Sequence, residues 1–463
     1  EAAGDAKYLS RNDWIGTFPS HDGQVTSIIS TWGNEINGTD SGGNPASFLY
    51  GKEATADLLQ DLDSFDSRSP IDPASFSDSI VYGAKNGVQL IDLRGLDYND
   101  PLWEKLLDEL SAEDYYNVVG ISGYGTAPIK SIGKPFGTDA DTAAGLIYGG
   151  TGQMYPSPVV LAMTWNADIA LRYGEMIGTE AILGGADGWY APSMNIHRTP
   201  FSGRNGEYYS EDGYLSGAFA SLETKGAASK GMYAYVKHFA FNDQENHRGD
   251  GTGQFSLVTW LNEQSIRELY LVPFEMCMKA GDVDLNFLQK SSDGKLTNAT
   301  RSIRACSAVM TAFNRVGSTW TGGSYPLITG ILRNEWAFDG FVITDNANTG
   351  VYMDGYQMIE AGADAKLTSA SESARFDFDK DNPAHYHYAR EAIHHVLYTI
   401  ANSKAMIGAM PGSVYKAGVQ IIDIIQGALY AVLSGLLALV CTFAVRRFMP
   451  KRQAVLTLPR QAK

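Results

Sequence analysis

The stretch LRNEWAFDGFVITDN, residues 332–346, joins the end of a helical segment to an apolar strand that stops at an aspartate. The same alternation runs through most of the chain. Apolar runs predict strands at 159–163, 191–196, 233–238, 308–313, 341–344 and 363–367. Helices are predicted between them, near 166–180, 211–229, 262–281, 325–336 and 383–401. This alternation is typical of a parallel sheet covered by helices. A (β/α)8 barrel needs about 250 residues or more, so we predict an α/β fold with a (β/α)8 TIM-like barrel.

Polar side chains stand directly after four of these predicted strands. They are Asn195-Ile196-His197-Arg198, Lys237-His238, Asn314-Arg315 and Asp345-Asn346. The carboxyl ends of barrel strands meet on one face, where active sites are built. The sequence therefore predicts a site at this face. No Gly-x-Gly-x-x-Gly or Walker pattern follows any strand, which counts against a nucleotide-binding fold.

These polar segments resemble the motifs of glycoside hydrolase family 3. Tyr235-Val236-Lys237-His238-Phe239 is similar to the family's Lys-His-Phe strand, and 195–198 with Gly203-Arg204-Asn205 and Tyr209-Ser210-Glu211-Asp212 is similar to its Arg-containing motif. Residues 332–345 resemble the segment that ends in the family's nucleophilic aspartate. Together the motifs cover roughly residues 90 to 405 in the family's order. The resemblance is to a β-glucosidase-like enzyme, the barrel domain of the type with reversed domain order.

The resemblance implies that Asp345 is the nucleophile of a retaining glycosidase. Such an enzyme uses one carboxylate to attack the anomeric carbon and a second carboxyl group, about 5 Å away, to protonate the leaving oxygen. A short side chain directly after a buried strand is held rigidly, which suits a nucleophile. From the residues alone, an aspartate in this place more often caps the next helix.

The resemblance also implies a set of substrate-binding side chains. Arg204, Lys237 and His238 would hydrogen-bond sugar hydroxyls, and Lys237 would also pair with Asp345 to keep it ionised. The structural alternatives are ion pairs within the barrel for the two cations and a buried core histidine for His238. Asp141 stands where the family has an Asp-Gly-Pro motif that grips two hydroxyls, although Thr142-Ala143 replaces Gly-Pro here.

Two further positions depart from the family pattern. Asn346 follows the implied nucleophile where the family usually has Trp. Phe313 stands where the family commonly has a Tyr whose hydroxyl assists the nucleophile. We count both as substrate-binding positions, and we expect an altered substrate or slower chemistry from the two changes.

The general acid is the part of the site that the sequence does not supply. Family members usually have it as a Glu on a second α/β domain. The segments 8–14 and 397–403 resemble the edges of the barrel in the reversed-order type, which places that domain upstream of Glu1 or on a partner chain. Alternatively, Asp243, Glu245 or His247, which follow the Lys-His-Phe strand, would act as an internal acid, but no motif around them matches a known acid-bearing loop.

Charge and composition exclude several classes of function. The chain has 463 residues and a net charge of −16. Six basic residues lie within 446–463, and without them 30 basic side chains face 52 acidic ones. Phosphate binding needs Lys and Arg, so a nucleic-acid partner is not expected. Cys277, Cys306 and Cys441 form no disulfide framework and are expected to be small buried side chains. No metal-binding spacing occurs, and glycoside hydrolysis by two carboxyl groups implies no cofactor.

Near its end the chain contains an uncharged run, residues 424–445, followed by Arg446, Arg447, Lys451 and Arg452. At about 1.5 Å per residue this run is long enough to cross a bilayer. Basic residues beside a span favour the cytoplasmic side. We therefore predict a single-pass protein of the cell membrane with an extracellular catalytic domain and a cytoplasmic C-terminus; a buried core helix is the alternative.

The predicted organisation has five parts. Residues 1–80 are an irregular lead-in that packs on the barrel, 81–405 the barrel, 406–423 a linker, 424–445 a transmembrane helix and 446–463 a basic tail. The leading functional prediction is an exo-acting retaining β-glycosidase that removes terminal β-linked glucose from a carbohydrate. The alternative is a membrane-tethered, non-catalytic sugar-binding or structural protein on a degenerate barrel.

Overall fold

The computed structural model describes residues 56, 60, 75–77, 79–147, 152–198, 200, 202–245, 248, 257–259, 261, 263–290, 293, 295–347, 352–368, 375–406 and 421–448. The predictions for nearly all of the lead-in, for His247, for most of the linker and for 449–463 lie outside these residues. The chain divides into two compact units, Glu1–Val414 and Tyr415–Lys463.

Eleven strands occur among the described residues of the first unit. They are β1 (Gly125–Thr126), β2 (Gly137–Asp141), β3 (Gly188–Tyr190), β4 (Tyr233–Phe239), β5 (Val258–Thr259), β6 (Asp282–Lys290), β7 (Leu296–Arg304), β8 (Ala308–Thr311), β9 (Arg315–Val316), β10 (Thr319–Trp320) and β11 (Phe341–Ile343). The central sheet has the order β1-β2-β3-β4-β8-β11. The β6–β7 hairpin and a small β10-β9-β5 sheet stand apart from it.

The central sheet confirms the α/β class but not eight parallel strands. β1 and β2 are antiparallel, whereas β2, β3, β4, β8 and β11 are parallel. Beyond β11, Ala365 forms a single parallel bridge with Ile343. The backbone of Lys366 then accepts a hydrogen bond from Ser122 and donates one to Val119. The sheet is thus curled, with its two ends linked by these few bonds.

The helices account for the predicted helical segments. They are α1 (Leu102–Leu107), α2 (Ala112–Val119), α3 (Pro158–Ala162), α4 (Ala167–Gly184), α5 (Gly213–Ala228), α6 (Glu263–Ser265), α7 (Val272–Met278), α8 (Gly355–Glu360), α9 (Pro383–Ala401) and α10 (Ile421–Phe448). A π-helical turn, Ile266–Tyr270, separates α6 from α7, and a π-helix spans Pro326–Glu335. The helices α4, α5 and α9 begin at side-chain caps, Asn166, Asp212 and Asn382, as expected for Asn and Asp before a helix.

Three strand predictions require correction. Residues 159–163 form most of α3 instead of a strand, because Ser157 is extended and Pro158 is preset for the first turn of a helix. No strand forms at 191–196. The strand β3 ends before this stretch, at Tyr190, and Ser193 forms only an isolated bridge to Lys237. The strand predicted at 363–367 is reduced to the bridge at Ala365.

A layer of buried polar side chains lies inside the sheet, away from its carboxyl edge. Asp139 in β2 accepts hydrogen bonds from the hydroxyls of Tyr190 (3.3 Å) and Tyr235 (3.0 Å). Burial raises the pKa of this carboxyl to about 7. The nearby Lys134 ammonium is also buried and donates to three backbone carbonyls and to Thr126 Oγ1. Most of these polar atoms are therefore held by partners within the protein.

The second unit contains a long apolar helix. Within α10, the segment Ile424–Arg447 has a mean hydropathy of 2.3, and no residue of its most apolar stretch is buried. The predicted uncharged helix is therefore confirmed as a helix. Cys441 lies exposed on it, contrary to the expectation for all three cysteines, whereas Cys277 and Cys306 are buried.

Candidate active site

The predicted site residues converge at the carboxyl edge of the parallel strands. Asp141 ends β2, Lys237 and His238 lie near the end of β4, and Asp345 follows β11 after one residue. The structure places Lys237 Nζ 2.9 Å from Asp141 Oδ1 and His238 Nε2 3.6 Å from Asp345 Oδ2. The alternation of strands and helices brings these positions to one place, as the sequence predicts.

Asp345 is fixed by the backbone on both sides. Thr344 N donates to Ala365 O (3.0 Å), and Ala347 N donates to Leu367 O (2.8 Å). The Asp345 Oδ1 atom accepts a hydrogen bond from Asn346 N (2.7 Å). Its Oδ2 atom makes no hydrogen bond to any described residue. The side chain is therefore rigid, with one oxygen left for another partner.

The environment of Asp345 poises its ionisation near neutrality. Burial raises the pKa of the carboxyl to about 6, against the lowering effects of Arg204, the Asn346 N–H, Lys237 and Arg248. A carboxyl group with this pKa is ionised at pH 7 yet weakly solvated. Both properties favour attack on an electrophilic carbon.

His238 is neutral and has one tautomer set by its neighbours. Burial and the charges of Arg204 and Lys237 hold its pKa well below the usual range. Arg204 Nη2 donates to His238 Nε2 (3.1 Å), so the proton of the ring is on Nδ1, which donates to Tyr208 Oη (3.2 Å). The Asn195 amide holds the backbone of His238 through both its N–H and its carbonyl. His238 is thus a buried histidine whose ring nitrogens both have partners within the protein, as the structural alternative predicts. Its binding of a sugar hydroxyl stays a prediction.

The two cations are held by carboxylates, not directly by Asp345. Lys237 lies between Asp141 (2.9 Å) and Glu207 (3.5 Å). Although burial lowers the pKa of Lys237, these two carboxylates raise it above its usual value. The expected Lys237–Asp345 ion pair is therefore wrong for this state. β2 and β11 are each two strands away from β4, so the strand order alone does not decide between Asp141 and Asp345 as the partner of Lys237.

Two glutamates belong to the site as partners of Arg204, a role that we predicted for neither. Glu207 Oε2 accepts from Arg204 Nε (2.7 Å), and Glu245 Oε1 accepts from Arg204 Nη1 (3.0 Å). Glu245 Oε2 also pairs with Arg248 (2.7 Å). Glu207 was detectable, because an acidic residue three positions after an arginine within one turn is a common pairing distance. Glu245 was noted only as a possible acid.

Asp141 is positioned by an unusual backbone. Its Oδ1 atom accepts from Thr142 N (2.7 Å) as well as from Lys237. Thr142 has φ of +115°, a left-handed conformation that a β-branched residue rarely adopts. The resemblance places a glycine at this position, and the backbone has kept the conformation that suits glycine. The grip of Asp141 on two sugar hydroxyls stays a prediction.

The remaining predicted positions lie around this centre. The Phe313 ring packs under the Arg248 guanidinium, whose carbon lies 3.9 Å from the ring centroid. Asn346 is partly buried beside Asp345. Asp243 lies 3.9 Å from Arg198, and burial raises its pKa to about 6. Because Glu245 is engaged by two arginines, Asp243 is the better of these two described carboxyls for proton donation.

The site combines hydrogen-bond donors and acceptors around one carboxylate that has an unoccupied oxygen. Arg204 and Lys237 offer charge-assisted donors, Asp141 and Glu207 offer acceptors, and Asp345 offers an unoccupied oxygen. Such a mixture of donors and acceptors matches vicinal hydroxyl groups.

Comparison with known proteins points in the same direction. The model of the glycosyl hydrolase family 3 N terminal domain matches residues 124–286, which include Asp141, Arg204, Lys237 and His238. The chain is 32% identical to β-glucosidase A of Butyrivibrio fibrisolvens over 268 residues, 57% of this chain and 28% of that protein. It is 31% identical to the probable β-glucosidase I of Aspergillus oryzae over 294 residues, 60% of this chain and 32% of that protein.

Solved structures show the same likeness. β-Glucosidase 3B from Thermotoga neapolitana, in complex with glucose, is 27% identical and superimposes with a TM-score of 0.51, covering 65% of this chain and 42% of that one. A β-glucosidase from Paenibacillus barengoltzii covers 79% of this chain and 38% of its own, with a TM-score of 0.58 and 24% identity, which speaks for the fold alone. The chain spans about a third of the length of the curated relatives it matches. Residues 124–286 therefore match the glycosyl hydrolase family 3 N terminal domain, and the chain is similar to β-glucosidases over about a third of their length.

Proposed function

We propose that the chain provides the nucleophile half of a retaining β-glycosidase, with terminal β-linked glucose as its substrate. The observation that supports this most is Asp345: a rigid, buried carboxylate with a free oxygen, next to two cations and at the edge where the strands end. The likeness to β-glucosidases, one of them solved with glucose, supports the choice of sugar. It does not favour the non-catalytic alternative.

In the proposed reaction, the free Asp345 oxygen attacks the anomeric carbon and a covalent glycosyl ester forms. The leaving oxygen takes a proton from an acid, and water then releases the sugar with retained configuration. Arg204, Lys237 and Asp141 hold hydroxyls of the ring in this proposal. Phe313, in place of the family's Tyr, provides no hydroxyl to assist the nucleophile. Asn346, in place of its Trp, provides no aromatic ring on which a sugar could stack.

The acid is proposed to come from outside the described site, on a second α/β domain or partner chain. The glutamates beside the centre, Glu207 and Glu245, are bound by arginine. Although burial acts to raise it, the charges of Lys237 and Arg204 lower the pKa of Glu207, which makes this glutamate a poor proton donor. The greater length of the relatives is consistent with a further module. Asp243 is the internal candidate.

Two architectural proposals accompany this function. We propose that the curled sheet closes into a barrel through the bonds between Lys366 and the 119–122 segment. We also propose that Ile424–Arg447 crosses a membrane, with the active site outside and the basic tail in the cytoplasm. Carbonate extraction of membranes and protease protection of an epitope at each end test the second point. Release by carbonate would contradict it.

The retaining reaction is tested by following the product anomer. The full chain is given 2,4-dinitrophenyl β-glucoside, whose leaving group departs without an acid, and proton NMR records the glucose as it forms. We expect β-glucose first, followed by slow mutarotation. Initial α-glucose, or no turnover above that of the Asp345→Asn variant, would contradict the proposal.

A further inference from the structure

The turn that holds Arg204 also contains a carboxylate that contacts three separate segments of the site. Glu207 ends the 3-10 turn Asn205–Glu207, and its backbone N–H donates to Arg204 O (2.9 Å). This tight turn folds the Glu207 side chain back towards Arg204. The carboxylate is only partly exposed, and all of its close partners lie at the carboxyl edge of the sheet.

Both oxygens of Glu207 are in use. Oε2 lies 2.7 Å from Arg204 Nε and 2.6 Å from Arg204 Nη2. Oε1 accepts from Ser193 Oγ (3.0 Å) and lies 3.5 Å from Lys237 Nζ. Ser193 is itself buried and bridged to the backbone of Lys237. One carboxylate therefore links the Arg204 turn, the segment after β3 and the end of β4.

Both cations have other partners, but none of those partners contacts Arg204 and Lys237 together. Arg204 also reaches Glu245 (3.0 Å) and His238 (3.1 Å), and Lys237 also reaches Asp141 (2.9 Å). None of these other partners joins the two cations to each other. Without Glu207, the distance between the guanidinium and the ammonium would be set only by the turn that carries Arg204 and by the strand β4 that carries Lys237.

We infer that Glu207 is a positioning residue that fixes Arg204 and Lys237 as one paired cation unit beside Asp345. This inference rests on the proposed function and names the group that assembles its sugar-binding side. Glu207 does not touch the reacting atoms in this role. It engages both cations, so that neither forms an ion pair with Asp345 and the nucleophile keeps a free oxygen.

The charge of Glu207 also bears on the ionisation of Asp345. The charged and titratable groups that face Asp345 are Lys237 and His238 from β4, Arg204 and Glu207 from the 203–207 turn, Glu245 and Arg248 from the segment after β4, and Asp141 from β2. Arg204 and Lys237 lower the pKa of Asp345, and Glu207 partly neutralises both. Removing the negative charge of Glu207 would therefore move the titration of Asp345 to lower pH.

The test compares Glu207→Gln and Glu207→Ala with Glu335→Gln in the full chain. Glu335 also accepts two hydrogen bonds from one arginine, Arg267, but lies on the outer π-helix. With 2,4-dinitrophenyl β-glucoside, we expect kcat/KM to fall about 10-fold for Glu207→Gln and about 100-fold for Glu207→Ala, because misplaced groups cost rates of this order. Glu335→Gln is expected to retain wild-type kinetics.

A second readout does not depend on turnover. Carbon NMR of aspartate-labelled protein, with Asp345→Asn to assign the signal, gives the titration midpoint of Asp345. We expect a lower midpoint in Glu207→Gln than in the wild type. An unchanged or higher midpoint overturns the inference, as does wild-type kcat/KM in both Glu207 variants. If the wild type has no activity, the proposed function fails, while the midpoint still decides whether Glu207 controls the charge at Asp345.

Discussion

Two buried aspartates in the same sheet have opposite surroundings. Asp139, in the middle of β2, is fully buried and accepts hydrogen bonds from tyrosine hydroxyls. Asp345, after the end of β11, is 8% exposed and faces Arg204 and Lys237. Burial raises the pKa of both, to about 7 and about 6. A raised pKa therefore does not distinguish the candidate nucleophile from Asp139. Asp345 differs from Asp139 in its place after a strand end, in its partial exposure to solvent and in the cations that face it.

The largest expected effect separates the two aspartates directly. Asp345→Asn should lower kcat for an activated aryl glucoside by on the order of 10⁴-fold or more, because a lost nucleophile has no substitute. Asp139→Asn should keep kcat within about 10-fold and change thermal stability instead. Steady-state kinetics and thermal unfolding of both variants check this. Equal losses of kcat would remove the distinction between the two regions.

A second comparison uses two lysines, one buried and one half-buried, each paired with an aspartate. Lys237 pairs with Asp141 (2.9 Å) at the site, and Lys404 pairs with Asp187 (3.1 Å) elsewhere in the domain. Lys237→Met should reduce kcat/KM by about 10²-fold through the loss of a charge-assisted donor to the sugar. Lys404→Met should lower the melting temperature and leave kcat/KM near the wild-type value. A rate loss in Lys404→Met alone would contradict the assignment.

Titration of Asp345 should change kcat/KM, whereas titration of Asp139 should change the free energy of unfolding. In the proposed reaction Asp345 must be ionised to attack, so kcat/KM should fall as the pH drops through about 6, its raised pKa. A pH–rate profile with a flat line from pH 5 to 8 would contradict this.

For Asp139, the folded state favours the protonated form. Its pKa is about 7 when folded and about 4 when unfolded. Its contribution to stability is therefore present below pH 4 and lost as the pH rises through 7. The free energy of unfolding of Asp139→Asn, relative to the wild type, should thus improve between pH 4 and pH 7. Urea unfolding at several pH values measures this difference.

The smallest expected effect concerns the backbone beside Asp141. Thr142→Gly should relieve the strain of φ +115°, which costs of order 1–3 kcal/mol, less about 1 kcal/mol for the greater freedom of glycine when unfolded. The melting temperature should rise by about 2 °C. Thr179→Gly, in the middle of α4, is the control and should destabilise by a few tenths of a kcal/mol. A fall in melting temperature for Thr142→Gly would contradict the strain.

The sequence predicted the parts of this structure that rest on periodicity. The helices at α4, α5 and α9 and the strands at β4, β8 and β11 lie where their apolar patterns place them. A short apolar run such as 159–163 fits a strand and a buried helix equally well. Pro158, at the first turn of the helix, is the residue that favours the helix here. The antiparallel β1–β2 pair could not be foreseen, because two residues of β1 leave no periodic pattern.

For the site, the sequence predicted which residues meet but not how they pair. Asp141, Lys237, His238 and Asp345 come together because strand ends share an edge. The partner of Lys237 depends on side-chain distances across the sheet, which no spacing rule supplies. The spacing from Arg204 favours a pair with Glu207, but the contacts of Glu207 with Ser193 and Lys237 join segments far apart in the sequence, which no spacing reveals.

The central claim, that Asp345 and not Asp139 is the nucleophile, is tested most directly by trapping. The full chain is incubated with 2,4-dinitrophenyl 2-deoxy-2-fluoro-β-glucoside, and peptide mass spectrometry locates the sugar ester. The account predicts a single label on Asp345 that is absent from Asp345→Asn. A label on another carboxylate, or none at all under conditions where the wild type hydrolyses the parent glucoside, would contradict it.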